Sequence, residues 1–174
     1  KAMAGPYTVP HEMIQVWAEE GSKNNDWVKS IGGDPQEHQH PPEGIEFPEL
    51  PGANSIHKFH HGERTGYSGT WMLFERVVKE RNIPVLYETP GTELIQNPFT
   101  REILGIKAEH DGKTLYVKAN RAVILTCGGF ENNQEMIRNY LPGIPYCYTT
   151  GSPYNDGDGV RMGMDVGADL WHMN

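Results

Sequence analysis

The sequence predicts an α/β fold in which a parallel sheet is covered by helices and flanked by a three-stranded β-meander. Three observations carry this expectation. Apolar residues recur at helical spacing near the start of the chain and again after residue 67. Two short apolar runs, IPVLYE and AVILT, read as the buried strands of a parallel sheet. Between them, apolar and polar residues alternate over successive short segments, two of them joined by an Asp-Gly turn.

With 174 residues, 37% of them hydrophobic, the chain is long enough for one sizeable domain. A formal net charge of -8 disfavours nucleic acid or an anionic membrane face as a partner. No apolar run approaches the roughly 20 residues of a membrane-spanning helix. The opening KAMAGPYTVPHEM has no apolar signal-peptide core, and its first residue is Lys rather than Met, as expected of a chain processed or cut from a longer one. The two cysteines, Cys127 and Cys147, make no disulfide framework and leave the compartment open.

In chain order, residues 10–32 predict a helix in two pieces. Met13, Ile14, Trp17 and Ala18 share one face; Trp27, Val28 and Ile31 form a second stripe. Gly21-Ser22 separates the pieces, Ser22 is the expected N-cap of the second, and Gly32-Gly33 ends it. Residues 34–66 are rich in Pro, Gly and His, with little periodicity, and predict a long irregular segment. HQH (38–40) and HKFHHGE (57–63) invite a transition-metal reading, but nearby prolines oppose the helix that would converge His57 and His60, so a solvated polar loop is expected and no metal.

SGTWMLFERVVKERN predicts a helix over 68–81, with Leu73–Val77 and Phe74–Val78 as apolar pairs and Glu75–Lys79 as a charge pair. A strand is expected at 84–88. A meander follows at 92–96, 102–110 and 114–119, with Leu104, Ile106, Ala108 and then Leu115, Val117, Ala119 on alternating positions and Asp111-Gly112 between them. The next strand, 122–126, runs into Cys127, Gly128 and Gly129. In an open α/β sheet ligands gather at the carboxyl ends of strands, and glycine lets backbone approach a ligand closely. A tight turn without a ligand is the plainer reading of this pair. Asn132 with Glu135 resembles a capping box for a helix reaching Tyr140. NDGDGVRMGMDVG then places Asp156, Gly157, Asp158 and Gly159 before a helix over 160–167. Asp158 there can cap the helix or accept from ribose- or ribityl-like hydroxyls. A calcium loop is disfavoured, because Gly167 stands where an EF-hand starting at Asp156 needs its acidic twelfth residue.

Taken together, ANRAVILTCGGFENNQEMIRNYLPG and TTGSPYNDGDGVRMGMDVGADLWHMN resemble the flavoprotein family of fumarate reductases, succinate dehydrogenases, urocanate reductase and 3-ketosteroid dehydrogenases. The resemblance covers residues 66–174 well and 10–33 loosely. It implies part of a glutathione-reductase-type FAD-binding domain: 1–66 as a helical and then irregular segment, 67–167 as the α/β FAD-binding portion, and 168–174 as the start of a substrate-capping domain. It implies that Thr126, Cys127, Gly128 and Gly129 lie along the adenosine side of FAD, that Asp158 and Gly159 approach the cofactor from the second helix, and that Glu88-Thr89-Pro90 lies by the adenine. Gly129 is then expected to be glycine because the cofactor leaves no room for Cβ. Thr126-Cys127 departs from the family's usual Ala-Thr or Ala-Ser, which exchanges a hydroxyl for a thiol, or leaves Cys127 to pack.

No G-x-G-x-x-G follows a strand here. In the family that fingerprint holds the pyrophosphate, and the cap and catalytic arginine come after the segment equivalent to Ala168. The resemblance therefore implies an internal piece of a longer flavoenzyme. That enzyme would transfer hydride between flavin and a carbon–carbon bond beside a carbonyl or carboxylate. It would take a small-molecule substrate through the cap and use a protein or quinone as electron donor or acceptor. The piece alone is expected to be inactive and to bind FAD weakly or not at all. The alternatives are a non-catalytic adenine-nucleotide-binding domain and a structural domain whose glycine pair only turns the chain.

Overall fold

A computed structural model of the chain describes residues 9–37, 48–55, 57, 59–60, 69–149, 151–171 and 173. It divides into two compact units, Lys1–Val85 and Leu86–Asn174.

Among its described residues the first unit has three α-helices: α1 His11–Gly21, α2 Asn24–Ser30 and α3 Gly69–Glu80. Two-residue strands β1, Gln36–Glu37, and β2, Phe59–His60, pair antiparallel. The core is a cluster of Val28, Ile31, Leu73 and Val77, with Leu73 fully buried. The Leu73–Val77 stripe of α3 is spent on α2. Gly33 lies against this core: a Cβ there would come within 2.6–2.7 Å of Val28 and Leu73. Arg76 fastens the same contact by donating to the Gly32 carbonyl at 3.1 Å, and Lys79 meets Glu75 at 2.8 Å as the spacing predicts. Phe74 turns from the core stripe to the Trp27 ring, with centroids 6.0 Å apart. Ser22 does not cap α2. Its hydroxyl donates back to the Glu19 carbonyl at 2.8 Å and closes α1 instead, and Lys23 is the N-cap of α2, without a side-chain cap bond. A hydroxyl just past a helix end can reach the last free carbonyls, and that bond is the one formed. The α1 stripe of Met13, Ile14 and Trp17 is exposed. His38, His40 and His61 lie outside the described residues.

The second unit carries the meander. β3 Gly91–Gln96, β4 Ile103–His110 and β5 Lys113–Lys118 form one antiparallel sheet in the order β3-β4-β5. Asp111 and Gly112 turn the β4–β5 hairpin with φ of 49° and 69°, the left-handed pair that an Asp-Gly turn supplies. Leu94 and Ala108 are buried, whereas Leu104 is partly exposed, so the β4 alternation is only half honoured. Gly105, next along β4, is buried, and the Val117 carbonyl occupies the direction a Cβ would take there. Helices α4, Gln134–Tyr140, and α5, Asp158–Asp165, complete the unit.

The parallel strands expected at 84–88 and 122–126 are not formed: neither segment is in a strand, and the sheets among the described residues are antiparallel. A strand exists only as a member of a ladder, and these segments have no ladder partner. Their side chains are accordingly open, with Leu86 55% and Ile124 83% exposed.

Replacing Leu73 by Ala should cost about 2–5 kcal/mol of unfolding free energy, the usual loss for a fully buried leucine. Chemical denaturation measures it, and a loss below about 1 kcal/mol would mean that the α2–α3 contact is not the core of the first unit.

Candidate functional site

The candidate site lies in the second unit, where the segment after residue 126 meets the segment before α5. Four consecutive polar residues, Glu131 to Gln134, tie the two together. Glu131 accepts from Asn155 Nδ2 at 2.6 Å. Asn132 donates its side-chain amide to the Ser152 carbonyl at 2.6 Å and accepts from the Thr149 hydroxyl at 3.0 Å. Asn133 donates to the Asp156 carbonyl at 2.9 Å. Gln134 grips the Cys147 backbone from both sides, donating to its carbonyl and accepting from its N–H. Two backbone bonds complete the clamp, Asn132 N–H to the Asn155 carbonyl at 3.0 Å and Gly157 N–H to the Gly129 carbonyl at 3.1 Å.

The capping-box reading of Asn132 and Glu135 is corrected by one residue. Asn133 is the N-cap of α4, accepting from the Met136 N–H at 3.1 Å, while Asn132 is committed to the opposite loop. α5 likewise begins at Asp158, two residues earlier than the pattern suggested, because Gly157 at φ 92° supplies the entry turn. Gly157 is buried, and a Cβ there would overlap Met136 and Phe130. α5 closes with the bonds of a Schellman motif, Ala168 N–H to Gly163 and Gly167 N–H to Met164, with Gly167 at φ 95°. The Val166 carbonyl then accepts from Arg101 at 2.9 Å and from Gln96 at the end of β3 at 3.2 Å, which anchors the helix to the meander.

Most of the sequence-predicted residues come together. The Cys127 side chain lies against Gly159, whose added Cβ would sit 3.1 Å from Cys127 Cβ. The Gly129 carbonyl holds the turn that opens α5. Asp158 is ion-paired with Arg161 one turn on. Thr126, Cys127 and Gly128 are exposed at the surface of this cluster. Thr89 is bonded elsewhere. The Thr89 hydroxyl contacts the Tyr87 carbonyl at 2.7 Å and His110 Nδ1 at 2.8 Å. Its single hydrogen can serve one of the two, so when the Tyr87 carbonyl takes it, His110 must carry its proton on Nδ1. Glu88 adopts φ 49°, an uncommon value for a non-glycine residue that tends to mark functional turns.

Gly129 has no left-handed φ, and the direction of its Cβ is taken by the Glu131 carboxylate, 2.5 Å away. The chain itself therefore supplies one reason for glycine at this position. Glu131 and Asn155 were not foreseen in the sequence; the signal was the run ENNQ, whose acid and amides have more bonding capacity than one helix cap can use. Asn155 and the backbone hold the Glu131 carboxyl below the usual glutamate range. Its contribution to stability is thus full above the ordinary glutamate pKa and is lost as pH falls through the depressed one.

A groove of about 330 Å³ between α4 and α5 is lined by Met136, Tyr140, Arg161 and Met164 among others. In the first unit, His57 pairs with Glu37 at 2.6 Å and borders a cavity of about 540 Å³ with Trp17 and Phe59. Among the described residues no group of three or more His, Cys, Asp or Glu could hold a metal ion, and no helix is long and apolar enough to cross a membrane.

A family model described as an FAD binding domain matches residues 2–174. The fumarate reductase (cytochrome) of Shewanella frigidimarina is 27% identical over 165 residues, covering 92% of this chain and 27% of that protein. The NADH:acrylate oxidoreductase of Vibrio harveyi is 34% identical over 98 residues, covering 53% of this chain and 10% of that protein. Among solved structures, the 3-ketosteroid-Δ4-(5α)-dehydrogenase of Rhodococcus jostii RHA1 in complex with 4-androstene-3,17-dione superposes with a TM-score of 0.74 at 25% identity, covering 99% of this chain and 40% of that one. The chain thus spans well under half the length of the relatives it matches.

The two glycines of the clamp should respond differently to substitution. Gly157→Ala is expected to cost about 2–4 kcal/mol, from left-handed φ and overlap with Met136. Gly129→Ala should cost under about 1 kcal/mol, since only a carboxylate tip must move. Equal losses in denaturant titrations would contradict this account of the clamp.

Proposed function

The chain belongs to the FAD binding domain family, and from that premise we propose that it forms the adenosine-side part of the cofactor domain of an FAD-dependent oxidoreductase. The reading rests on one observation: the clamp brings Cys127–Gly129 and Asp158–Gly159, distant in sequence, to one place. In the proposed whole, 122–126 and 84–88 are strands of a parallel, glutathione-reductase-type sheet completed by the rest of the flavoprotein. That role accounts for their apolar composition and present exposure.

The donor set fits part of the cofactor. Asp156 and Asp158 are acceptors suited to ribose or ribityl hydroxyls, and the exposed backbone of Gly128 allows close approach. The same carboxylates suit a pyrophosphate poorly, and the neighbouring cation Arg161 is already paired with Asp158. Phosphate contacts are therefore assigned to another part of the protein. When bound, the flavin supplies hydride transfer; protein groups bind and orient it. In this chain the clamp fixes the loops, Asp158 accepts from the cofactor's hydroxyls, and Cys127, at the surface, lies against Gly159. Glu88 and Thr89 would flank the adenine, with Thr89 held by His110. The relatives are named for acrylate, fumarate and 3-ketosteroids, whose common chemistry is a carbon–carbon bond beside a carbonyl or carboxylate. We assign the whole protein a substrate of that class, bound largely outside residues 1–167, with residues 168–174 leading into a capping domain.

Two measurements test this. The isolated 174-residue chain should be colourless or bind FAD weakly; a stoichiometric flavin absorption band from it would show that the phosphate-binding part is dispensable. In the complete flavoprotein, Asp158→Ala should weaken FAD binding roughly tenfold, the loss expected for a hydrogen bond to a charged group, with little change in melting temperature. Unchanged FAD affinity would remove Asp158 from the site.

A further inference from the structure

Glu131 is tied to the opposite loop differently from its three neighbours. Asn132, Asn133 and Gln134 each reach a backbone carbonyl, and Asn132 also takes the Thr149 hydroxyl, whereas Glu131 is the one charged member of the run and meets the Asn155 side-chain amide at 2.6 Å. Asn155 is itself fixed by its backbone, accepting from Asn132 N–H at 3.0 Å and donating to the Ser152 carbonyl at 3.2 Å. The pair lies over three glycines. A Cβ on Gly128 would overlap the Asn155 amide oxygen. One on Gly129 would come within 2.5 Å of Glu131 Oε2, and one on Gly151 within 3.1 Å of Glu131 Oε1. Three glycines in two loops therefore make room for a single carboxylate–amide pair.

This arrangement does more than join the loops. The ties from Asn132, Asn133 and Gln134, with the backbone bond from Gly157 to Gly129, already do that. Those ties hold Gly129 by its carbonyl, whereas the Gly128 backbone enters none of them, and consecutive glycines have more conformational freedom than any other pair. Gly128 is held at φ 78° beside Asn155. A charge-assisted hydrogen bond is among the stronger side-chain contacts, and pre-ordering a loop before a ligand arrives lowers the cost of binding.

We propose that Glu131 and Asn155 are a positioning pair for the cofactor, fixing Gly128 and Gly129 against the 151–157 loop in the geometry that receives FAD. The proposal rests on the function proposed above. The pair acts through the glycine backbone, so its loss changes cofactor affinity more than folding.

The test is a polarity reversal in the complete flavoprotein, with FAD as the titrant of the apoprotein and flavin fluorescence as the readout. Asn155→Asp sets two carboxylates against each other and should weaken FAD binding roughly tenfold. Amide exchange at Gly128 and Gly129 in the apoprotein should speed up, with little change in melting temperature. Combining it with Glu131→Gln restores a donor and an acceptor in reversed order, and should recover FAD affinity to within about twofold of the parent and slow the exchange again. The idea is overturned if Asn155→Asp binds FAD as the parent does, if it melts early while folded protein keeps its affinity, or if the double variant recovers nothing. Failure of the parent apoprotein itself to bind FAD would instead sink the proposed function, and with it this role; the unmutated control separates the two.

Discussion

The second unit depends on the clamp between Glu131–Gln134 and the loop that leads into α5. Its apolar core is small: Leu94, Ala108, Met136, Ile137 and Met162 are the buried hydrophobic residues described there. Glycine-rich loops lose much entropy on ordering. Four successive polar side chains, each with a partner across the gap, offset that loss where hydrophobic burial is scarce. Polar and apolar contacts also coincide. α4 begins at the Asn133 cap, and its first buried residue, Met136, packs beneath Gly157 at the α5 entry. Moving either loop would break a cap, a backbone bond and a packing contact together.

The meander fixes the other end of α5. Gly167 stops the helix, and Gln96 and Arg101 take up the Val166 carbonyl left free at its end. The helix start, with Asp158 and Gly159, is thus held between the clamp and β3. A helix secured at both termini carries its first-turn residues in a set direction, as a cofactor contact on that turn requires.

The exposed apolar runs fit the same picture. Ile83, Val85 and Leu86, and later Ile124 and Leu125, have the composition of buried strands yet stand open to solvent. Burial of such a run takes a neighbouring strand on at least one side, and in the proposed flavoprotein that neighbour comes from the remainder of the sheet. Residues 2–174 match an FAD binding domain while occupying a minority of each related chain.

Local signals in the sequence sufficed for the helices and the meander. The α3 stripe, the Asp-Gly hairpin, the break at Gly21-Ser22 and the glycine turn into α5 all follow from contacts within a few residues, and each appears within two residues of its expected place. The family resemblance was legible for the same reason, because its two motifs are contiguous strings. Tertiary structure decided what depends on partners far along the chain. Ser22 and Asn132 could each have been an N-cap, and both turned to other acceptors that the pattern does not reveal. At Gly129 the fold places the Glu131 carboxylate in the Cβ direction, a neighbour that no local pattern announces. Asn155 meets Glu131 across 24 positions of sequence. A hydrogen bond over that separation has no periodicity to announce it; it exists only once two loops, each polar and glycine-rich, have been folded against one another.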